Sequence, residues 1–122
     1  MGSMSDDART ADAAIPAPGS PADGDDGRPT ALATVQLDDE LTRVTEWRFP
    51  PGTQTGMHTH ELDYVVVPIT TGTLRVLTPE GEQENVLVPG ASYTRPVGST
   101  HNVVNDTDAE CAFVEVEFKR SR

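Results

Sequence analysis

His58-Thr59-His60 carries the residue types in this chain best suited to gripping a metal ion. Side chains on a β-strand alternate faces with period two, so imidazoles at i and i+2 point the same way. Their ring nitrogens can then converge on one ion that prefers neutral imidazole ligands. The sequence has one further histidine, His101, which opens a short β-branched run at Val103-Val104. Two exposed histidines on an edge strand would give the same spacing. The three are either ligands of one ion or a coincidence, and the elements around them have to decide which.

Those elements read as strands. The stretch after the histidines, LDYVVVPI over 62–69, is rich in β-branched and aromatic residues. Runs of the same kind are expected at 31–37, 41–49, 73–77, 85–88, 91–95, through His101, and at 111–118. Turn residues separate them: Asp38-Asp39-Glu40, Pro50-Pro51-Gly52, Thr70-Thr71-Gly72, Pro79-Glu80-Gly81, Pro89-Gly90 and Asp106-Thr107-Asp108. In the second run Trp47 and Phe49 share one face, with Glu46 and Arg48 on the other. No segment shows a 3.6-residue period. Short strands at regular spacing predict an all-β sandwich or barrel.

Composition sets the outer bounds. The 122 residues suffice for one domain. A net charge of −11 argues against nucleic acid and anionic membrane surfaces as partners. Neither a transmembrane-length apolar run nor a signal-peptide pattern is present, and the expected location is the cytoplasm. The single cysteine, Cys111, fits a reducing compartment, and its strand-like setting CAFVEVEF reads as a packed thiol rather than a nucleophile. Residues 1–30 stand apart. Met1-Gly2-Ser3 before Met4 resembles an expression-vector remnant, and the following AIPAPGSPADGDDGRP has no hydrophobic period. This acidic tail is expected to be disordered, with the folded barrel at 31–122.

Two spacings narrow the fold. The first runs Gly52, five residues, His58, one residue, His60. The second runs Gly90, five residues, Pro96-Val97-Gly98, two residues, His101, three residues, Asn105. Together they resemble the two motifs of the cupin family. The stretches DYVVVPITTGTL and RPVGSTHNVVN are similar to a group of small bacterial cupins that includes β-alanine degradation-type proteins. The resemblance implies a single double-stranded β-helix jelly-roll barrel, with both motifs on neighbouring strands and the histidines inside. Pro96-Val97-Gly98 would then be the turn presenting His101, Gly52 would shape the approach to His58, and Asn105 would tie the following turn.

One departure bears on the chemistry. Most cupin first motifs carry a glutamate shortly after the second histidine; here Tyr64 and Val65 stand there, and Gly72 arrives one residue late. Tyr64 shares strand parity with His60, whereas Glu61 and Asp63 do not unless a bulge re-aims one of them. The resemblance implies one divalent ion (Fe, Zn, Mn or Ni), and with this departure the simplest expectation is a site of His58, His60 and His101 alone, the rival being Asp63 or Glu61 brought onto the ion by a bulge. Arg95 shares a face with Tyr93 and needs a partner, either a substrate carboxylate or a nearby acid such as Asp63 or Glu61. Arg48 and Arg75 read as surface charges. The expected function is a metal-dependent enzyme acting on a small, carboxylate-bearing metabolite, with Tyr64 as proton donor. Iron would imply dioxygenase chemistry, and zinc, manganese or nickel isomerase or lyase chemistry. The alternative from a different class is a non-catalytic small-molecule sensor. A homodimer paired through the edge segment 31–37 is expected.

Overall fold

The computed structural model of the chain describes residues 27–120. Residues 1–26 and 121–122 lie outside it, and with them most of the stretch expected to be a disordered tail. None of the described residues is helical. Nine strands follow one another: β1 (Leu32–Asp38), β2 (Thr42–Phe49), β3 (His58–Thr59), β4 (Tyr64–Pro68), β5 (Gly72–Thr78), β6 (Gly81–Leu87), β7 (Tyr93–Arg95), β8 (Thr100–Val104) and β9 (Cys111–Phe118).

They form a five-stranded sheet in the order β1-β2-β9-β4-β7 and a four-stranded sheet in the order β3-β8-β5-β6. Every strand ladder is antiparallel. The chain crosses repeatedly between the two sheets, which makes the double-stranded β-helix that the resemblance implied. Trp47, Phe49 and Phe113 from one sheet pack against Leu74, Leu87 and Val103 from the other. The Phe49 and Phe113 rings lie 5.5 Å apart, within the range of favourable aromatic pairing. Gly72 sits at φ +136°, and a Cβ there would come within 2.6 Å of Cys111 Sγ, so the packed thiol requires a residue without a side chain.

Strand β2 keeps its expected alternation. Arg43, Thr45, Trp47 and Phe49 are buried, while Glu46 and Arg48 face outward and pair with each other. Arg48 and Arg75 are surface charges held by Glu110 and by Asp106 and Glu82. Strand β6 begins at Gly81, four residues before the expected start at residue 85. Its first residues, including Glu82, Gln83 and Glu84, are all exposed, so no polar–apolar alternation announces it. Pairing with β5 through the Pro79-Glu80 turn holds it in place.

The histidine-bearing stretch is not one continuous strand. Strand β3 has two residues, and the chain then crosses from the four-stranded to the five-stranded sheet before β4 starts at Tyr64. The inward aim of Tyr64 comes from the alternation of β4 itself, where Tyr64, Val66 and Pro68 are buried. Strand parity counted from His60 gives the right answer for a reason that does not hold across the break.

Candidate metal centre

Strands β3 and β8 lie side by side, with His58 directly opposite His101 and Thr59 opposite Thr100. The two threonine hydroxyls bond each other on the outer face at 2.8 Å. His60 lies just beyond β3, where the Pro96–Ser99 turn grips its backbone from both sides. The His60 N–H donates to the Ser99 carbonyl at 2.9 Å, and the Gly98 N–H donates to the His60 carbonyl at 2.8 Å. Asp63 Oδ1 accepts from the Val97 N–H at 2.8 Å and fixes the same turn from the other end.

This backbone brings the three Nε2 atoms to one point. His60 Nε2 lies 3.1 Å from His58 Nε2 and 3.2 Å from His101 Nε2. Two nitrogens bound to one ion at about 2.1 Å can stand at most about 4.2 Å apart, so these separations suit a shared ion. His58 Nδ1 donates to the Gly56 carbonyl at 2.8 Å, which fixes the tautomer and leaves Nε2 with a free lone pair. Gly56 is itself anchored, because Asn102 Oδ1 accepts its N–H at 3.0 Å and Asn102 Nδ2 donates to Gln54 Oε1 at 2.8 Å.

Burial keeps the imidazoles neutral. Desolvation first, and then the charge that His58 and His101 would carry, push His60 down to about 2. Desolvation, followed by the charge of His58 and of Arg95, brings His101 to about 3. Desolvation also lowers His58, against the Gly56 hydrogen bond. Neutral imidazoles whose lone pairs converge form a donor set for a divalent cation.

Tyr64 stacks on His60 with ring centroids 4.0 Å apart and is 2% exposed. Burial, then the charge of Glu115, raises its hydroxyl well above the usual value, so it stays protonated and can donate. Beside it opens a cavity of about 410 Å³ lined by His101, Tyr64, Tyr93, Arg95, Asn85 and Glu115. Arg95 is half-buried on its wall with its guanidinium 4.4 Å above the Tyr93 ring. It pairs with neither expected acid: Asp63 caps the Val97 turn and Glu61 is exposed. Asn105 ties its turn as expected, donating to the Phe49 and Ala109 carbonyls and accepting from Thr107.

The polar interior next to the histidines is what the sequence reading missed. Glu115 and Glu117 on β9 point into the barrel, and Arg43 on β2 donates to Glu117 at 2.7 Å. In CAFVEVEF the valines are the natural inward choice, yet Val114 and Val116 face outward. Cys111 and Phe113 share parity with the two glutamates and anchor the strand the other way. That shared parity was the available signal.

The shifted groups give a pH dependence. The folded histidines remain neutral where those of the unfolded chain take up protons, near pH 6.5, so acidification below that point favours unfolding. Glu115 acts in the opposite sense: burial, and then Glu117, raises it to about 8, so the folded state loses stability as pH rises towards that value. Three imidazoles outweigh one carboxyl on the acid side, each worth up to about 1.4 kcal/mol per pH unit. Denaturant unfolding of the metal-free protein should therefore give maximal stability near pH 6–7 (about the imidazole range) and a clear loss by about pH 5. Equal or greater stability at the lower pH would contradict the buried, neutral histidine cluster.

Comparison with known proteins agrees with the fold. Residues 45–117 match the Cupin domain family. The chain is 54% identical over 93 residues to the β-alanine degradation protein BauB of Pseudomonas aeruginosa, an alignment covering 76% of this chain and 98% of that protein. A cupin domain of known structure from Bordetella pertussis Tohama I shares 58% identity with a TM-score of 0.74, covering 76% of this chain and 97% of that one. The polyketide cyclase RemF from Streptomyces resistomycificus is 19% identical with a TM-score of 0.64, covering 93% of this chain and 78% of that one, and is alike in fold alone. The family match spans more than half of the sequence, and the histidine-bearing barrel belongs to the cupin family.

Proposed function

We propose that this cupin is a metal-dependent enzyme acting on a small, carboxylate-bearing metabolite, with one divalent ion held by His58, His60 and His101. The observation that carries this reading is the convergence of three Nε2 atoms, 3.1 and 3.2 Å apart, beside a cavity of about 410 Å³. The ion would supply Lewis acidity if it is zinc, manganese or nickel, and dioxygen chemistry if it is iron.

The chain's own residues divide the remaining work. Arg95 presents a guanidinium that reaches no carboxylate among the described residues, which suits it to fix a substrate carboxylate. Stacking on Tyr93 holds that guanidinium flat against the cavity wall. Tyr64 keeps its proton and offers it at the hydroxyl oxygen to developing negative charge on the substrate. Phe113, Val66 and Val103 supply an apolar part of the same cavity wall. The Pseudomonas relative carries the name of a β-alanine degradation protein, and a short amino- or oxo-carboxylate of that class would fit within the cavity. Small-molecule chemistry of this kind, with a free buried thiol at Cys111, suits the cytoplasm.

A homodimer is part of the same reading. Strand β1 is an edge of the five-stranded sheet, and Leu32, Val35 and Leu37 on it are 59%, 41% and 48% exposed. An uncovered edge with apolar side chains is a template for pairing with a second copy.

Three outcomes follow. Alanine at His58, His60 or His101 should each abolish stoichiometric metal binding by elemental analysis while the circular dichroism of the barrel is kept. Tyr64→Phe should retain the metal but lower turnover by about 10²–10⁴-fold, the usual weight of a general acid. A histidine whose loss leaves affinity intact is not a ligand, and a carboxylate that binds without being converted would make the protein a sensor. Sedimentation at tens of micromolar should find a dimer (roughly the range at which a weak edge-paired dimer is populated), and a monomer there would count against edge pairing.

A further inference from the structure

The barrel interior beside His60 holds polar groups that the metal-centre reading leaves unused. His60 is 2% exposed, and its Nδ1 is buried without a hydrogen-bond partner among the described residues. Its Nε2 is turned to His58 and His101. One imidazole nitrogen of His60 and one carboxylate oxygen each from Glu115 and Glu117 lie within 4.8 Å of one another. Both glutamates are buried and come from β9, opposite Val66 and Tyr64 of β4. Tyr64 stacks on the imidazole face, so Nδ1 can be reached only in the plane of the ring.

A neutral imidazole with its Nε2 lone pair on an ion carries its proton on Nδ1. Burying that N–H unpartnered incurs its full desolvation penalty. Nδ1 makes no direct hydrogen bond among the described residues, and a spacing within 4.8 Å between the imidazole and the two carboxyl groups suits one bridging water molecule. Two hydrogen bonds of about 2.8 Å meeting at a tetrahedral angle span about 4.6 Å. A second cation in the same place is disfavoured, because the Arg43 guanidinium already sits on Glu117 at 2.7 Å.

We propose that Glu115 and Glu117 are positioning residues for His60, both accepting from one buried water that in turn accepts the His60 Nδ1–H. Glu117 is itself held by Arg43 at 2.7 Å. The relay fixes the rotation of the imidazole and so the direction of its Nε2 lone pair. It rests on the reading of the three histidines as ligands, and it assigns a task to the carboxylates of the last strand, a part of the chain outside both histidine motifs.

Zinc titration of the full chain with a competing chelator, followed by a high-resolution crystal structure, tests it. Glu115→Leu should weaken zinc affinity about 10–100-fold, the usual weight of such a partner, while a metal-free thermal melt reports an intact fold. Glu115→Gln keeps a carbonyl acceptor and should retain affinity within about threefold, which separates loss of the acceptor from any other change at this position. The zinc-loaded crystal should show a water bridging His60 Nδ1 to the carboxylates. Unchanged affinity in Glu115→Leu, equal losses in both variants, or a Glu115 oxygen at about 2.0–2.2 Å from the ion would overturn the relay. A wild-type chain without zinc affinity would overturn the three-histidine reading and the relay with it.

Discussion

The strands and turns of this barrel bring three imidazole Nε2 atoms to one point. Repulsion among buried nitrogens and the entropy of closing the chain from His60 to His101 both oppose that arrangement. The β3–β8 ladder sets His58 opposite His101, and the Pro96–Ser99 turn clamps the His60 backbone through two hydrogen bonds. Asn102 joins the same strand to the Gln54–Gly56 loop and so reaches His58 Nδ1 through Gly56. The backbone of His60 and the ring of His58 are thus set by backbone and amide groups, which hold their positions more firmly than exposed side chains do.

The interior is divided along its length. Trp47, Phe49, Cys111 and Phe113 make one apolar end, where the chain gains its hydrophobic stability. Two residues further along β2 and β9 the same inward face turns polar, with Thr45, Arg43, Glu115 and Glu117. A buried ion pair such as Arg43–Glu117 is a poor source of net stability, yet removing one partner costs about 3–5 kcal/mol. A sequence selected only for packing would carry apolar residues there. These polar groups lie beside His60, and the half-buried valines on the outer face of β9 are their counterpart.

The meeting of the histidines and the barrel itself were legible because both leave period-two patterns and spaced turn residues in the chain. The HxH pair, the Pro96-Val97-Gly98 turn and the Trp47/Phe49 face could all be read from local sequence. Strand β6 could not, because Glu82, Gln83 and Glu84 are exposed and only pairing with β5 defines them. The inward glutamates were hidden for a related reason. In an alternating run of valine and glutamate, hydrophobicity favours the wrong face, and the choice is made by the packing of Phe113 and Cys111. Tyr64 is the instructive middle case, since its inward aim belongs to β4 and not to any strand shared with His60.

The most direct test uses the fact that the chain contains only three histidines. Protein labelled with ¹⁵N-histidine gives two-bond proton–nitrogen correlations in which every imidazole can be followed at once. On addition of one equivalent of zinc, all three Nε2 resonances should move together to the metal-bound range, with each Nδ1 remaining protonated. A histidine that stays unmoved, or one that binds through Nδ1, would contradict the three-imidazole centre.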